Sequence, residues 1–448
     1  MMPIKLRAYG IFLISLILFP QSGDVIKGCG GYDMINIVNT SMYIPQMIKS
    51  KKFDPFFLSL DEYYSNWNYY AESERTEPEG RNADDFNLYE WQTYFEGYIS
   101  KDQVGPVVYR LSKNSMDSLM LVIKAKNITR SGKQKNIKTR QEIEDALVYL
   151  QFAKSVENVI YVEPWDWKPQ PFDKEEIDSL KNIANKSLKE EINRELQLRY
   201  AFQYVRLCFQ AAEYEEGLTY MRDKFKFKPE DGFMYHRAKG YEAACLVRTG
   251  NFSKSNLIYA RLYGLGEAFK MTAFESFHAQ NENEWSKTLG LAESDRDKEL
   301  LWHLYGVYVD PLKGIKAIAE LNINSELLPL LLVRAVQIAE TNTIQNSYTD
   351  EYSWELDPSN YEQLEELTPD PFYSWRSVHK EQIGDLINEI LKIESRRTED
   401  RALWLMSASF LYWMQSDIPK CRKLSNEAAK YANGNKYIVL QNAINQLL

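Results

Sequence analysis

The chain offers few side chains whose type and spacing could support catalysis. None of its four histidines forms an HxxxH or HExxH pair, and none lies near a cysteine at metal-ligand spacing. The sequence also has no GxSxG, GxxxxGK or GxGxxG motif, so hydrolase and nucleotide-binding chemistry have no local signature. We therefore predict no metal site and no cofactor. The histidines are His236, His278, His303 and His379.

Carboxylates are abundant, and they leave one enzymatic alternative open. A glycoside hydrolase built from helical hairpins would need two carboxyl groups that meet in space although they lie far apart in sequence. The 63 acidic residues include no pair that the sequence marks as acid and base. A helical glycoside hydrolase thus stays an alternative to a non-enzymatic protein.

The most distinctive candidate for binding is an acidic, aromatic segment at 341–373. It holds eight acids and no lysine or arginine, with tyrosine, tryptophan and phenylalanine interleaved. Structureless loops of this length are often functional or disordered. The candidate partner-binding residues are Tyr348, Tyr352, Trp354, Glu355, Asp357 and Tyr361.

Three interpretations of this segment are open. In the first, it docks a cationic or aromatic-accepting partner or holds calcium weakly. In the second, it is a solvated insertion with a helical part at "NYEQLEEL". In the third interpretation it pairs with the basic stretch at 121–140, which has seven basic residues and no acid. Charge of this kind mainly steers association and is sensitive to salt.

A second aromatic strip lies at 51–72. It carries three phenylalanines, four tyrosines and Trp67. If these rings are exposed they would stack on sugars, which makes glycan binding the alternative function. We expect them instead to pack beneath the first helices.

These candidate sites belong to a chain of ordinary globular composition. Hydrophobic residues make up 44% and charged residues 26% of its 448 residues. The net charge of −9 argues against nucleic acid as a partner, because binding a polyanion requires a basic surface.

The first residues predict export. Lys5 and Arg7 precede the apolar run "IFLISLILF", which "PQSG" ends, and this is typical of a signal peptide at 1–23. A membrane anchor is the alternative. Cys29 follows a small residue and is a candidate for lipidation, although Lys27 interrupts the pattern. We expect a periplasmic, outer-membrane-associated or cell-surface protein that meets the membrane only through such a lipid anchor.

Helical signals dominate after residue 137. "TRQE" at 139–142 predicts a capping box, Asp173 with Glu176 predicts a second, and Asp310 before Pro311 marks another helix start. "ELLPLLLVRAVQIAE" predicts a central, buried helix. We divide the chain into a signal peptide (1–23), an irregular and helical N-terminal cap (24–137), a helical-repeat array (138–340), the acidic aromatic loop (341–375) and C-terminal helical repeats (376–448).

Three stretches, including "FQAAEYEEGLTYMRDKFKFKP", resemble the tetratricopeptide repeat, in which paired helices cross at small residues. The resemblance implies an all-α, right-handed superhelix of stacked antiparallel helix pairs, degenerate in sequence, with an irregular aromatic-rich N-terminal region. We expect Gly217 to lie against the preceding helix. The repeat-packing positions are Val205, Cys208, Gly217 and Met221 in the first unit, Ala243, Ser255 and Tyr259 in the second, and Ser409, Cys421 and Ala428 in the third. Cys208, Cys245 and Cys421 should be buried as small hydrophobic residues.

A broader resemblance covers most of the chain. "CGGYD", "YEWQTYF" with "VVYRLS", "YLQFAKSVE" with "PWDW", and "DPLKGIKAIAELNINSELLPLLLVRAV" resemble a family of exported helical-repeat proteins of Bacteroidota-type bacteria. That resemblance implies fold and compartment but no activity. Because repeat arrays usually bind, we expect a non-enzymatic protein-binding or scaffold protein of the cell envelope, with an unknown protein partner.

Overall fold

A computed structural model describes residues 42–48, 83–125, 138–161, 172–191, 193–278, 280–348, 383–397 and 399–448. All of them belong to one compact unit, Thr40–Leu448. These residues form α-helices and short helical turns, with no strand among them, which confirms the all-α prediction.

Eighteen α-helices follow one another in the described ranges. They are α1 (Ala83–Tyr94), α2 (Lys101–Gly105), α3 (Lys113–Ala125), α4 (Arg140–Ile160), α5 (Lys174–Glu190), α6 (Arg194–Gln210), α7 (Tyr214–Asp223), α8 (Phe233–Arg248), α9 (Phe252–Leu265), α10 (Glu267–Glu275), α11 (Glu282–Gly290), α12 (Asp295–Tyr308), α13 (Pro311–Leu321), α14 (Leu328–Tyr348), α15 (Ile383–Glu394), α16 (Arg401–Met414), α17 (Ile418–Lys430) and α18 (Lys436–Leu447). Short 3₁₀ turns lie at Pro45–Met47 and Pro229–Asp231, and a π turn follows α2 at Pro106–Arg110.

Local capping chemistry sets several helix starts. The hydroxyl of Thr139 accepts the N–H of Glu142 at 3.2 Å, and the Glu142 carboxylate accepts the N–H of Thr139 at 2.6 Å, which is the predicted capping box. Asp173 accepts the N–H groups of Glu175 and Glu176 in the first turn of α5, so it caps the helix, but the return bond from Glu176 that would complete the predicted second capping box is not formed. Asp310 accepts the N–H of Lys313 at 2.9 Å, with Pro311 as first helical residue. The predicted starts of α4, α5 and α13 are confirmed.

Helices that are close in sequence are also packed together. α6 packs on α5, α7 and α8, while α9 packs on α8, α10, α11 and α12. Further on, α14 lies against α12, α13 and α16, and α16 also contacts α15, α17 and α18. Packing between sequence neighbours is typical of repeat proteins.

Two hydrophobic clusters form the core. One runs from Trp91 to Ala238 and involves α1 to the middle of α8. The other runs from Ala243 to Ile438 and also takes in Tyr43, from the start of the chain. In α14, every residue from Leu330 to Glu340 is buried, so the predicted central helix is confirmed.

The first helix of the N-terminal cap is docked by charge. Glu90 on α1 accepts the N–H of Phe233 at 2.8 Å and so caps α8. The same carboxylate pairs with the buried Arg199 at 2.8 Å, and that guanidinium lies 4.1 Å from the ring centre of Trp91. These contacts fix α1 to α6 and α8.

One sequence boundary needs correction. The array was expected to end at residue 340, but α14 continues to Tyr348, so residues 341–348 of the predicted loop are helical. No glycine or proline occurs between 341 and 357 to interrupt the helix. At the basic stretch, α3 extends to Ala125, and Lys138 bonds Glu195 at 2.7 Å.

Several predictions fall outside the described residues. These are the signal peptide at 1–23, the lipidation candidate Cys29 and the aromatic strip at 51–72. Among the helices that the structure does describe, none combines the length and the apolar character needed to cross a lipid bilayer.

Candidate functional site

The predicted partner-binding loop contributes almost nothing to the described geometry. Tyr348 is the last residue of α14. The other five candidates, Tyr352, Trp354, Glu355, Asp357 and Tyr361, lie outside the described residues. A site must therefore be sought on the helices.

Four helix pairs in the described ranges share one way of closing their turn. In each pair, the residue that precedes the second helix donates its N–H to the carbonyl five residues earlier. The bonds run from Glu213 to Cys208 (2.9 Å), Asn251 to Leu246 (2.7 Å), Asp310 to Tyr305 (3.3 Å) and Asp417 to Tyr412 (2.9 Å). The pairs α6/α7, α8/α9, α12/α13 and α16/α17 are thus hairpins with a common backbone closure.

Three of these turns also share a left-handed residue just before the cap. Ala212, Gly250 and Ser416 have φ values of 58°, 75° and 64°. A residue other than glycine in this region costs of order 1 kcal/mol. Its recurrence at one place, in alanine and serine as well as glycine, indicates that the hairpin geometry determines the conformation.

The residue four places after each cap lies where the two helices cross. Gly217 is buried, and a Cβ there would stand 3.3 Å from the Cβ of Cys208 and 3.4 Å from the Sγ of Cys245. The hydroxyl of Ser255 donates to the Ala243 carbonyl at 3.0 Å. At the last hairpin, Ser409 donates to the Cys421 carbonyl at 2.6 Å. The other packing positions named from the sequence, Val205, Met221, Tyr259 and Ala428, are buried.

Sequence reasoning missed the fourth crossing. Gly314 lies so close to α12 that a Cβ there would stand 2.9 Å from both the Cα of Gly306 and the carbonyl oxygen of Trp302. The signal was present in the sequence, because Gly314 follows the predicted cap Asp310 by four residues, as Gly217 follows Glu213.

The feature that most resembles a binding site is where residues 42–48 lie across α14, α16 and α18. Their partners are Glu340, Ser407, Phe410, Asn435 and Gln441, which we call the segment site. These bonds join residues 298 to 399 positions apart. A short stretch of chain is thus held on helices that belong to the opposite half of the sequence.

The segment site binds the segment chiefly by its backbone. Glu340 accepts the N–H of Met42 at 2.7 Å. Gln441 accepts the N–H of Ile44 at 2.7 Å and donates to the carbonyl of Met42 at 3.1 Å. Asn435 donates to the carbonyl of Met47 at 2.9 Å. Gln441 therefore bonds the main chain on both sides of residue 43, as an adjacent β-strand would.

Tyr43 anchors the segment. Its side chain is 0% exposed, and its ring centre lies 5.3 Å from that of Phe410. Its hydroxyl stands 2.6 Å from the Ser407 hydroxyl, which itself donates to the carbonyl of Leu403 at 2.8 Å. Because the only hydroxyl hydrogen of Ser407 is donated to Leu403, the Tyr43 hydroxyl is the donor in its bond to Ser407. Burial raises the pKa of the Tyr43 phenol above its usual range and keeps this donor proton in place.

A cleft of about 450 Å³ borders the segment at Met47. The Arg401 guanidinium lies 4.5 Å from the ring centre of Tyr431 and donates to its hydroxyl at 2.9 Å. Arg397 is buried and donates to the carbonyl of Ile323 at 2.7 Å. Both guanidinium groups thus have partners within the protein. The cleft continues the segment site beyond Met47, and its rim is polar and aromatic. Its lining is Met47, Arg397, Asp400, Arg401, Ala402, Leu403, Tyr431, Ala432, Asn433, Asn435 and Ile438.

The segment site left only a weak mark in the sequence. Glu340 closes a polar series with Arg334 and Gln337, at three-residue steps within the otherwise apolar α14, and all three side chains are buried. Polar residues repeated on one face of a buried helix require partners. That pattern was the signal available for the site, and it was obscured by the surrounding leucines.

A titratable cluster between α5 and α7 provides the contrast. Lys181 is 7% exposed, bonds Glu213, and bonds Glu216 at 2.9 Å, while Tyr204 donates to Glu216. Burial alone would lower the pKa of Lys181, but its carboxylate hydrogen bonds raise it above the ordinary value. Beside it, burial raises the pKa of the Cys208 thiol to about 12. A permanently charged lysine and a neutral thiol supply neither a base nor a nucleophile.

The remaining candidates for chemistry are structural. Cys208, Cys245 and Cys421 are free and buried, as the sequence predicted. His303 is fully buried, its Nε2 lies 3.0 Å from the Tyr263 hydroxyl, and burial lowers its pKa to about 3. Across the described residues, no group of three His, Cys, Asp or Glu side chains could hold a metal ion.

Comparison with known proteins adds no assignment. No protein-family model matches the chain, and neither a curated protein nor a solved structure matches it. Function must be argued from the shared hairpins and the segment site.

Proposed function

We propose that this chain is an exported, non-enzymatic binding or scaffold protein of the cell envelope, and that its stacked helical hairpins form the binding surface. The proposal includes a degenerate tetratricopeptide-like superhelix. It is supported by four hairpins with one backbone closure and by crossings at Gly217, Ser255, Gly314 and Cys421. Export rests on the signal-peptide pattern at 1–23, with Cys29 as the candidate lipid anchor.

The observation that carries the binding function is the segment site. Glu340 on α14, Gln441 on α18 and Asn435 at the N-cap of α18 bond the main chain of residues 42–48. Extended peptides are commonly recognised by hydrogen bonds to the main chain together with a pocket for a side chain. The enzymatic alternative gains no support in the described residues, since the neighbouring acids Glu213 and Glu216 are bound by Lys181.

Site-specific photo-crosslinking in living cells tests this function. A photo-reactive amino acid placed at Tyr431, on the rim of the cleft, should capture an envelope protein. The matched control is Val148 on the outer face of α4, which is 48% exposed against 37% for Tyr431. If both positions capture the same proteins, or if Tyr431 captures none, this surface is not the binding surface. Mass spectrometry of the mature N-terminus tests cleavage and lipidation in the same preparation.

A further inference from the structure

The bonds of the segment site could also be made by a peptide from another protein. Four of the five hydrogen bonds described above end on the segment's backbone, which is common to every sequence. Selectivity comes from the buried Tyr43 ring with its hydroxyl bond to Ser407. Pro45 adds a second restriction, because it begins the 3₁₀ turn and carries no N–H group. The recognised pattern is thus tyrosine, an aliphatic residue and proline, with a 3₁₀ turn that begins at the proline.

The site is unfavourable to leave empty. Gln441 is 0% exposed. Its amide oxygen accepts the N–H of Ile44, and its amide nitrogen donates to the carbonyl of Met42 and, at 2.9 Å, to the side chain of Asn445. When the segment leaves, the Gln441 carbonyl loses its donor inside the protein. Leaving also gives up the other backbone bonds and the buried Tyr43 ring, so an external peptide that restores these contacts is favoured over an empty site.

We infer that residues 42–48 are an intramolecular pseudo-ligand, and that the external ligand is a segment of a partner protein with a tyrosine–aliphatic–proline sequence that enters a 3₁₀ turn at its proline. The inference rests on the binding function proposed above and names the class of partner. The partner's segment displaces residues 42–48 and takes over the bonds to Glu340, Gln441 and Asn435. The cleft at Met47 gives room for residues that follow the turn.

Fluorescence anisotropy with full-length variants tests the inference. The probe is a labelled synthetic peptide, TSMYIPQMIKS, with the sequence of residues 40–50. Tyr43→Ala in the protein removes the internal anchor, and we expect this variant to bind the probe ~100-fold more tightly than wild type. The loss of a buried aromatic ring weakens the competing internal segment by about two to three powers of ten in its equilibrium constant. Tyr43→Phe removes only the hydroxyl contact and should give a gain of roughly 5-fold.

Two controls locate the probe. Adding Gln441→Ala to the Tyr43→Ala chain should abolish the gain, and a probe with alanine in place of its tyrosine should not bind. Equal affinity for wild type and both Tyr43 variants would overturn the pseudo-ligand role. Binding that survives Gln441→Ala would place the probe elsewhere and also overturn it. Tyr43→Phe, which leaves no cavity, decides the question if the alanine variant does not fold.

The outcomes separate this inference from the proposed function. If no variant binds the probe while crosslinking at Tyr431 still captures an envelope protein, the inference is wrong and the binding function stands. If both fail, both are wrong. If wild type forms concentration-dependent dimers that the probe dissociates, the occupant is the segment of a second copy, which overturns the assignment to a partner protein.

Discussion

Replacing Gly314 by alanine tests how closely α12 and α13 approach each other at the tightest helix crossing of the four hairpins. The new Cβ would stand 2.9 Å from the Cα of Gly306, 2.9 Å from the carbonyl oxygen of Trp302 and 3.2 Å from the Leu331 side chain. Two of these neighbours are backbone atoms, so α12 and α13 must separate to admit the methyl group. Overpacking costs about 1–3 kcal/mol, and more when the backbone must move, whereas alanine gains about 1 kcal/mol over glycine within a helix. We expect a net loss of about 2 kcal/mol.

Gly240 provides the matched control for this substitution. It lies inside α8, and a Cβ there would meet the Leu262 side chain at 3.7 Å, an ordinary van der Waals distance. Gly240→Ala should therefore stabilise the protein by about 0.5–1 kcal/mol. Urea unfolding followed by far-ultraviolet circular dichroism compares both variants with wild type, with midpoints and slopes measured in one buffer. If Gly314→Ala is as stable as Gly240→Ala, the tight crossing and its place among the shared hairpins are refuted.

Three further changes can be measured by the same unfolding experiment. Ser409→Ala should cost about 1–2 kcal/mol, because it removes the bond across α16 and α17. Ser286→Ala loses only an exposed bond within its own helix and should cost less than about 0.5 kcal/mol. Equal losses in the two variants would contradict the role of the crossing. Lys181→Met leaves two carboxylates without their buried partner and should cost about 2 kcal/mol, whereas Lys186→Met breaks an exposed pair and should change stability by less than about 0.5 kcal/mol. His303 has a folded pKa of about 3, below its unfolded value near 6.5, so the unfolded chain binds a proton first and stability falls as pH drops below about 6.5. Between pH 7 and pH 5 that loss is about 2 kcal/mol, and an unchanged pH dependence in His303→Gln would disprove it.

Features that depend on local chemistry could be predicted from the sequence. Thr139, Asp173 and Asp310 cap helices where their patterns indicated, because a cap requires only side chains within one turn. The end of the array was predicted wrongly at residue 340, because the apolar run in the sequence ends at Ala339 while the helix itself continues to Tyr348.

The segment site could not be predicted, because its partners meet only through the path of the whole chain. Tyr43 and Ser407 are 364 positions apart, and nothing around residues 42–48 shows a helical period. Gln441 looks like a surface residue of an amphipathic helix, yet it is fully buried. Its amide bonds the segment on both sides of Tyr43, and sequence periodicity does not report contacts between distant parts of a chain.

The same contact should couple binding to the stability of the last helices described. α18 packs on α16 and α17, and the Pro45–Met47 turn covers another part of it. A helix in a stacked array depends on its neighbours, so loosening the segment exposes the buried amide of Gln441 and weakens this end. A ligand that binds only the folded state stabilises it by about 2.7 kcal/mol at one hundred times its Kd. An external peptide should therefore restore the Tyr43→Ala protein toward wild-type stability, while wild type, whose site is already filled, should respond little. Equal stabilisation of both proteins would mean that peptide and segment do not compete for one site.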